Sequence, residues 1–468
     1  MAPRIGRNHM RNQKLLKTPK PGNRYQDLTQ GEIAKTMLLF SLPMIGGSLL
    51  QQLYNVVDAL IVGRFLGSDP LAAVGSAFTL MTFLTSILLG LSMGAGALFA
   101  ICWGQRDLPR LRQSVAHAFL LFLLITVALN VAVYRGIDPI LAFLQVPDEV
   151  YTLMRDYLVV IFAGIGATFL YNFFACLLRS LGNSAVPLFF LGLASLLNIG
   201  LDLLFILAFH WGVRGAGAAT VIAQIAAGVG LTAYAWVKCR EVRPSPSDFH
   251  WNGGLMREIS SLSLFTCAQQ SVMNFGILLV QGLVNSFGAH TMAAFSAVVK
   301  IDAFAYMPVQ EFGNAFSTFV AQNYGAGARD RIEKGISKAV RIVVVFCVVI
   351  TAVVVLFAKQ WMLLFIQPQE TEILAIGVQY LRIEGSFYWG IGCLFLLYGF
   401  YRAIKKPAMS VVLTVISLGL RVLLAYVLAD VVGVVGIWLA IPIGWMAADL
   451  TGLLYYFWKR KNFFTRGA

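Results

Sequence analysis

Twelve apolar runs, each of 20 residues or more, divide this chain and leave little choice of fold. They cover residues 35–63, 72–100, 113–134, 152–178, 186–208, 215–237, 261–286, 292–322, 339–358, 378–400, 408–429 and 434–457. A helix needs about 20 apolar residues to cross a bilayer. Lipid offers the backbone no partners, so each crossing must satisfy its own peptide groups as a helix. The expected fold is an all-α integral membrane protein with twelve transmembrane helices. Composition agrees: 12% of residues are charged, against about 25% in soluble domains, and mean hydropathy is +0.75.

The net charge of +14 would suit nucleic acid on a soluble protein. Here the basic residues stand in alternate loops instead. Arg106, Arg110 and Arg112 follow span 2, and Arg179 follows span 4. Lys238, Arg240 and Arg243 follow span 6, and Arg329, Arg331, Lys334 and Lys338 follow span 8. Arg402, Lys405 and Lys406 follow span 10, and Lys459, Arg460 and Lys461 end the last. Loops retained in the cytoplasm carry the Lys/Arg excess. Both termini are therefore expected in the cytoplasm of a multi-pass cell (inner) membrane protein. The basic tail 1–34, with its Pro and Asn residues, reads as a mobile segment at an anionic membrane face.

The chain repeats itself. A shift of 221 positions carries Gly67 to Gly288, Ala72-Ala73 to Ala293-Ala294, Gly104 to Gly325 and Arg110 to Arg331. The same shift carries Pro147 to Pro368, Gly212 to Gly433 and Gly215 to Gly436. One register over most of the chain signals duplication. Six spans per half is an even number, so the halves share one orientation. They form two six-helix lobes related by a pseudo-two-fold axis along the membrane normal. The N-lobe is expected at 35–237, a cytoplasmic linker at 238–260, the C-lobe at 261–457 and a basic C-terminus at 458–468. Two such lobes around a central cavity suit a transporter. A channel would show pore-lining rings or a filter loop, and neither is present in the sequence.

Asp58 in span 1 is a carboxylate costing roughly 2.5–3.5 kcal/mol on insertion scales. Counting at 1.5 Å per residue places Asp58, Asp202 of span 5 and Thr220 of span 6 all roughly 9 Å below the outer surface. Asn198 lies one turn from Asp202, on the same helix face. The repeat mates of Asp58, Asn198, Asp202 and Thr220 are Leu279, Gly419, Leu423 and Ile441, so this group is one-sided. Two carboxylates in low dielectric resist a shared double charge, so the pair can hold a proton. The same oxygens could coordinate Na⁺. The plainer reading is a hydrogen-bonded cluster joining spans 1, 5 and 6. Pro43, early in span 1, removes a helix bond and is the candidate hinge.

Asp302, Glu311 and Glu384 are candidates for the substrate cavity, where they would favour small organic cations. Arg421 and Asp449 fall at similar depths and read as a buried pair. His117, His210 and His290 lack ligand spacing and read as surface residues. Six cysteines without a Cys-x-x-Cys spacing read as free thiols. No P-loop, His-rich metal motif or Ser/His/Asp set suggests an enzyme. No cofactor is expected beyond the coupling ion, no nucleic acid partner, and a monomer in the bilayer.

On these residues the chain resembles the multidrug and toxic compound extrusion (MATE) family over nearly its whole length. The marks are Pro43, Leu53-Tyr54-Asn55-x-x-Asp58, Gly63, the 221-residue duplication and Leu178-Arg179-Ser180-Leu181-Gly182. They continue with Asn198-x-x-x-Asp202, Gly215-x-Gly217-Ala218-Ala219-Thr220 and Gln322-Asn323-Tyr324-Gly325-Ala326. The resemblance implies antiport, with H⁺ or Na⁺ entering as an organic, usually cationic, compound leaves. It places the family's N-lobe cation site on Asp58, Asn198, Asp202 and Thr220. Asn172 in span 4 is a lesser candidate because it lies at a different depth. Some members carry a coupling acid on helix 7. Here that stretch reads Cys267-Ala268-Gln269-Gln270, which favours coupling through the N-lobe. A flippase for a lipid-linked precursor is the alternative, and it should line its cavity with Arg and Lys.

Overall fold

The computed structural model describes residues 25–143 and 146–463, which form fifteen α-helices. In the first half these are α1 (Ile33–Leu66), α2 (Ser68–Gln105), α3 (Leu108–Phe143), α4 (Asp148–Phe162), α5 (Ile165–Ser180), α6 (Ala185–Leu203) and α7 (Gly212–Lys238). In the second they are α8 (Gly253–Asn285), α9 (Ala289–Gly325), α10 (Arg329–Leu356), α11 (Ala358–Met362), α12 (Thr371–Gly385), α13 (Tyr388–Ala403), α14 (Pro407–Val432) and α15 (Val434–Phe463). Ten are long and apolar enough to cross a membrane. The pairs α4–α5 and α12–α13 bring the spans to twelve.

Those two spans are not straight, contrary to a reading as single runs. They bend by 47° and 51° at corresponding places in the two halves. Elsewhere the 221-residue register recurs in the helix starts: 68 and 289, 108 and 329. Helix α8 begins at Gly253, so it takes in the last eight residues of the stretch read as linker. The rest of that linker holds two short 3₁₀ turns, Arg240–Val242 and Pro246–Phe249.

Two apolar cores follow the two halves, with an exchange at the first helix of each. Met37, Phe40 and Met44 of α1 join the C-terminal core, and Leu255, Ile259 and Leu262 of α8 join the N-terminal one. In lipid such contacts depend on small residues that let backbones approach. A Cβ on Gly94 of α2 would fall 2.4 Å from Leu262 O of α8. At the crossing of α2 and α9, a Cβ on Gly104 would fall 2.0 Å from Gln322 O, and one on Gly325 would fall 2.1 Å from Ile101 O. The repeat-mate glycines thus pin the lobes together at one end.

That end also gathers the basic loops. Arg4 to Lys20 and Arg24 lie outside the described residues, and the tail's last part packs against both lobes. Leu28 is fully buried. Its N–H donates to Gln322 Oε1 (3.3 Å), and its carbonyl accepts from Asn323 Nδ2 (3.1 Å). Arg331 donates to the Gln30 and Gly31 carbonyls. Gln26 N donates to Gly182 O, and Arg106 pairs with Asp27 at 2.7 Å. Residues 25–31 form a strap that touches both lobes. Glu258 adds a second bridge, to Arg110 (2.7 Å) and Lys405 (2.6 Å). His117, expected at the surface, is buried and accepts the Asn252 N–H of the linker.

Candidate functional site

Four helices bring the N-lobe group together. Tyr54 and Asp58 lie one turn apart on α1, as do Asn198 and Asp202 on α6. Thr220 comes from α7 and Tyr157 from α4. Gly217, three residues before Thr220, lets α7 close on α4. A Cβ there would meet Val160 at 3.2 Å and Tyr157 at 3.5 Å. Asn198 Nδ2 donates to Thr220 Oγ1 (3.2 Å), and the Tyr54 hydroxyl lies 3.4 Å from the same oxygen. The carboxylates of Asp58 and Asp202 face each other, with Tyr157 beside them. Asn198 is 1% exposed and Asp202 0%.

The donors run out before the acceptors do. Asp58 Oδ1, Asn198 Oδ1 and both carboxylate oxygens of Asp202 are buried and have no hydrogen-bond partner among the described residues. Leaving a buried acceptor unmet costs about 1–3 kcal/mol, and more for a charged group. A purely structural cluster would be selected to close its bonds. This one converges acceptors, a donor set suited to a proton or a hard cation. Two residues past Asp202 the helix turns into a π-helical segment, Leu204–Ala208, a distortion frequent at functional sites.

Tyr157 was not legible as a site residue, because only a depth count along the bent fourth span could have aligned it. Asn172 stands apart from the group: it donates to Thr168 O, one turn back on α5, at 2.8 Å. Helix α1 runs unbroken through Pro43.

The C-lobe has a polar cluster of its own. Asp302 (α9) and Glu384 (α12) are 4% and 6% exposed. The Tyr388 hydroxyl donates to Asp302 Oδ1, and Tyr380 and Arg421 stand close by. The expected Arg421–Asp449 pair does not form. Arg421 turns toward Glu384 and Asp302, while both Asp449 oxygens are buried without a partner. Equal depth on neighbouring helices did not mean facing sides.

Between the lobes lies a small cleft lined by Met93, Gln269, Gln270, Gln310, Asn314, Phe395, Tyr398 and Arg402. Asp302 and Glu384 are not among its walls. Glu311 follows Gln310 on α9, and its Oε2 is buried without a partner. Arg402 is 5% exposed. Its Nε donates to Ser317 Oγ (3.3 Å) and its Nη2 to Asn314 Oδ1 (3.1 Å).

This arrangement has known counterparts. The MatE family model matches twice, over residues 43–204 and 265–427. The two matches start at nearly the repeat period. The probable multidrug resistance protein YpnP of Bacillus subtilis is 31% identical, over 94% of this chain and 99% of its own. An FAD transporter of Shewanella oneidensis is 24% identical, over 89% of this chain and 92% of its own. A solved MOP-superfamily transporter from Pyrococcus furiosus superposes with a TM-score of 0.86 at 25% identity. That match covers 93% of this chain and 97% of the other, whose binding pocket is described as having reverse polarity that suggests a different function. With two lobes, twelve spans and a duplicated family match, the chain belongs to the MatE family of multidrug and toxic compound extrusion transporters.

Proposed function

We propose that this membrane protein is a cation-coupled antiporter, a transporter and not an enzyme. H⁺ or Na⁺ binds between Asp58 and Asp202 as an amphipathic organic compound leaves by alternating access. The observation that carries the reading is the convergence of four partnerless oxygens from Asp58, Asn198 and Asp202. A proton would let one carboxylate donate to the other. Na⁺ would draw on the same oxygens with the Thr220 hydroxyl. Either neutralises the pair and changes how strongly α1 is held to α6. Pro43 gives α1 a place to flex, since its missing N–H leaves one helix bond unmade. The basic end is the cytoplasmic one, by the distribution of Lys and Arg, and the membrane is the cell (inner) membrane.

Relatives named for multidrug resistance and for FAD transport support organic cargo of varied charge. For small organic cations the supporting group is Glu311, whose Oε2 is buried without a partner.

The test is efflux from proteoliposomes under separately imposed pH and Na⁺ gradients. Asp58→Asn should abolish gradient-driven efflux in folded protein, while replacing its repeat mate Leu279 should leave efflux largely intact. Full coupled efflux by Asp58→Asn would overturn the proposal.

A further inference from the structure

The cleft carries a buried cation without a matching anion. An arginine has five N–H donors. Arg402 makes two side-chain hydrogen bonds among the described residues, both to the neutral oxygens of Ser317 and Asn314. No carboxylate comes within ion-pair distance of it among the described residues. Glu311 is the one acid whose charge reaches Arg402, and Arg179 of α5 and Arg402 both lie near Cys176. Two guanidinium groups and one carboxylate therefore share this region. Of the other buried C-lobe acids, Asp302 accepts from Tyr388, Glu384 stands near Tyr380 and Arg421 with its Oε2 unpartnered, and Asp449 lies near Tyr398, but none of the three lines the cleft.

The rest of the lining has the same sense. Gln269, Gln270, Gln310 and Asn314 bring amide groups that can donate, and no acidic residue lines the cleft. The N-lobe contributes the apolar Met93 to the opposite wall. The repeat mates of Gln310, Asn314 and Arg402 are Leu89, Met93 and Leu181. Met93 itself lines the cleft, across the pseudo-two-fold axis from Asn314. An organic cation placed here would meet a buried like charge. An oxyanion would meet a planar fork of donors whose geometry matches carboxylate and phosphate.

We infer that the exported compound bears a carboxylate or phosphate group that docks on Arg402, with its apolar body against the N-lobe wall. This rests on the exporter reading above and reverses the substrate charge expected from the sequence. A soluble amphiphile and a lipid headgroup would present the same oxyanion, and the two share this docking chemistry.

Riboflavin and riboflavin 5′-phosphate provide a matched pair, with one aromatic body and one added phosphate. Binding to the purified full-length protein in detergent is followed by flavin fluorescence. The phosphate form should bind at least tenfold more tightly than riboflavin, and carboxyfluorescein should compete with it while ethidium does not. Arg402→Gln should remove the preference, and Arg402→Lys should keep part of it. Competition by farnesyl phosphate, with farnesol as control, identifies the source. Displacement stronger than by carboxyfluorescein assigns a lipid headgroup, and weaker displacement assigns a soluble anion. Equal binding of the two flavins by the unmodified protein would overturn the inference even if Arg402→Gln fails to fold. So would an unchanged preference in a folded Arg402→Gln, or displacement by ethidium. Asp58→Asn should retain the flavin preference while losing coupled efflux, so failure of the coupling reading is distinguishable from failure of this one.

Discussion

Asp58 and Leu279 occupy the same place in two copies of one ancestral lobe, yet only one of them can hold a charge. The difference is chemical and local: Asp58 faces Asp202, one turn from Asn198 on α6. Thr220 is the group's organiser, since its hydroxyl accepts from Asn198 and sits beside the Tyr54 hydroxyl. Thr220→Ala removes that acceptor. A net hydrogen bond contributes about 1 kcal/mol, so apparent affinity for the coupling ion should fall about fivefold with maximal efflux little changed. Ion-concentration dependence of efflux measures this. Loss of all transport would instead mean that Thr220 holds the helices together.

At the scale of elements, the helices are held by close backbone approach. The crossing of α2 and α9 depends on Gly104 and Gly325, each against a carbonyl of the other helix. Backbone cannot yield as a side-chain tip can. Gly104→Ala should therefore lower thermal stability by about 1–3 kcal/mol, the usual cost of overpacking. Gly75→Ala, where a Cβ meets nothing within 4 Å, is the control and should be neutral or slightly stabilising. Fluorescence-detected melting of the two variants compares them directly. The bends in the α4–α5 and α12–α13 spans belong to this scale too. Each breaks a helix in the same part of its lobe, as the 221-residue repeat predicts.

At the scale of the whole molecule, the strap and the α2–α9 crossing seal one end. Gln322 bonds to Leu28 N and Ser180 O, so it joins strap, C-lobe and N-lobe. Gln322→Ala loses both bonds and should shift the population toward a state open at that end, about thirtyfold at about 1 kcal/mol for each bond. The readout is the labelling rate of Cys102, which is fully buried beside the crossing. The strap also carries a pH dependence. Burial of Asp27 favours the neutral acid, but bonds from Thr29 and the charge of Arg106 outweigh it and hold the carboxyl below its ordinary 3.8. A depressed folded value stabilises above the unfolded pKa and is lost as pH falls through it. The strap's ion pair should thus be intact at neutral pH and weaken as pH falls below about 4. Asp27→Asn should flatten that part of a stability profile. The half-exposed Arg106 limits the size of the effect to that of a surface pair, up to about 1 kcal/mol.

The spans, their duplication and the polar residues Asp58, Asn198, Asp202 and Thr220 were legible along the chain. Each of these follows from a one-dimensional regularity: run length, a fixed shift or a count of rise per residue. The sequence did not reach Tyr157, because the fourth span bends, nor the strap, because Leu28 is buried by residues almost 300 positions away. Depth along a helix is a matter of counting, but facing depends on how each helix is turned against its neighbours. That turn separated Arg421 from Asp449, hid Asp302 and Glu384 inside the C-lobe and left Arg402 in the cleft wall. The intramembrane acids were visible as letters, but which charge lines the cleft between the lobes depends on how the helices are turned.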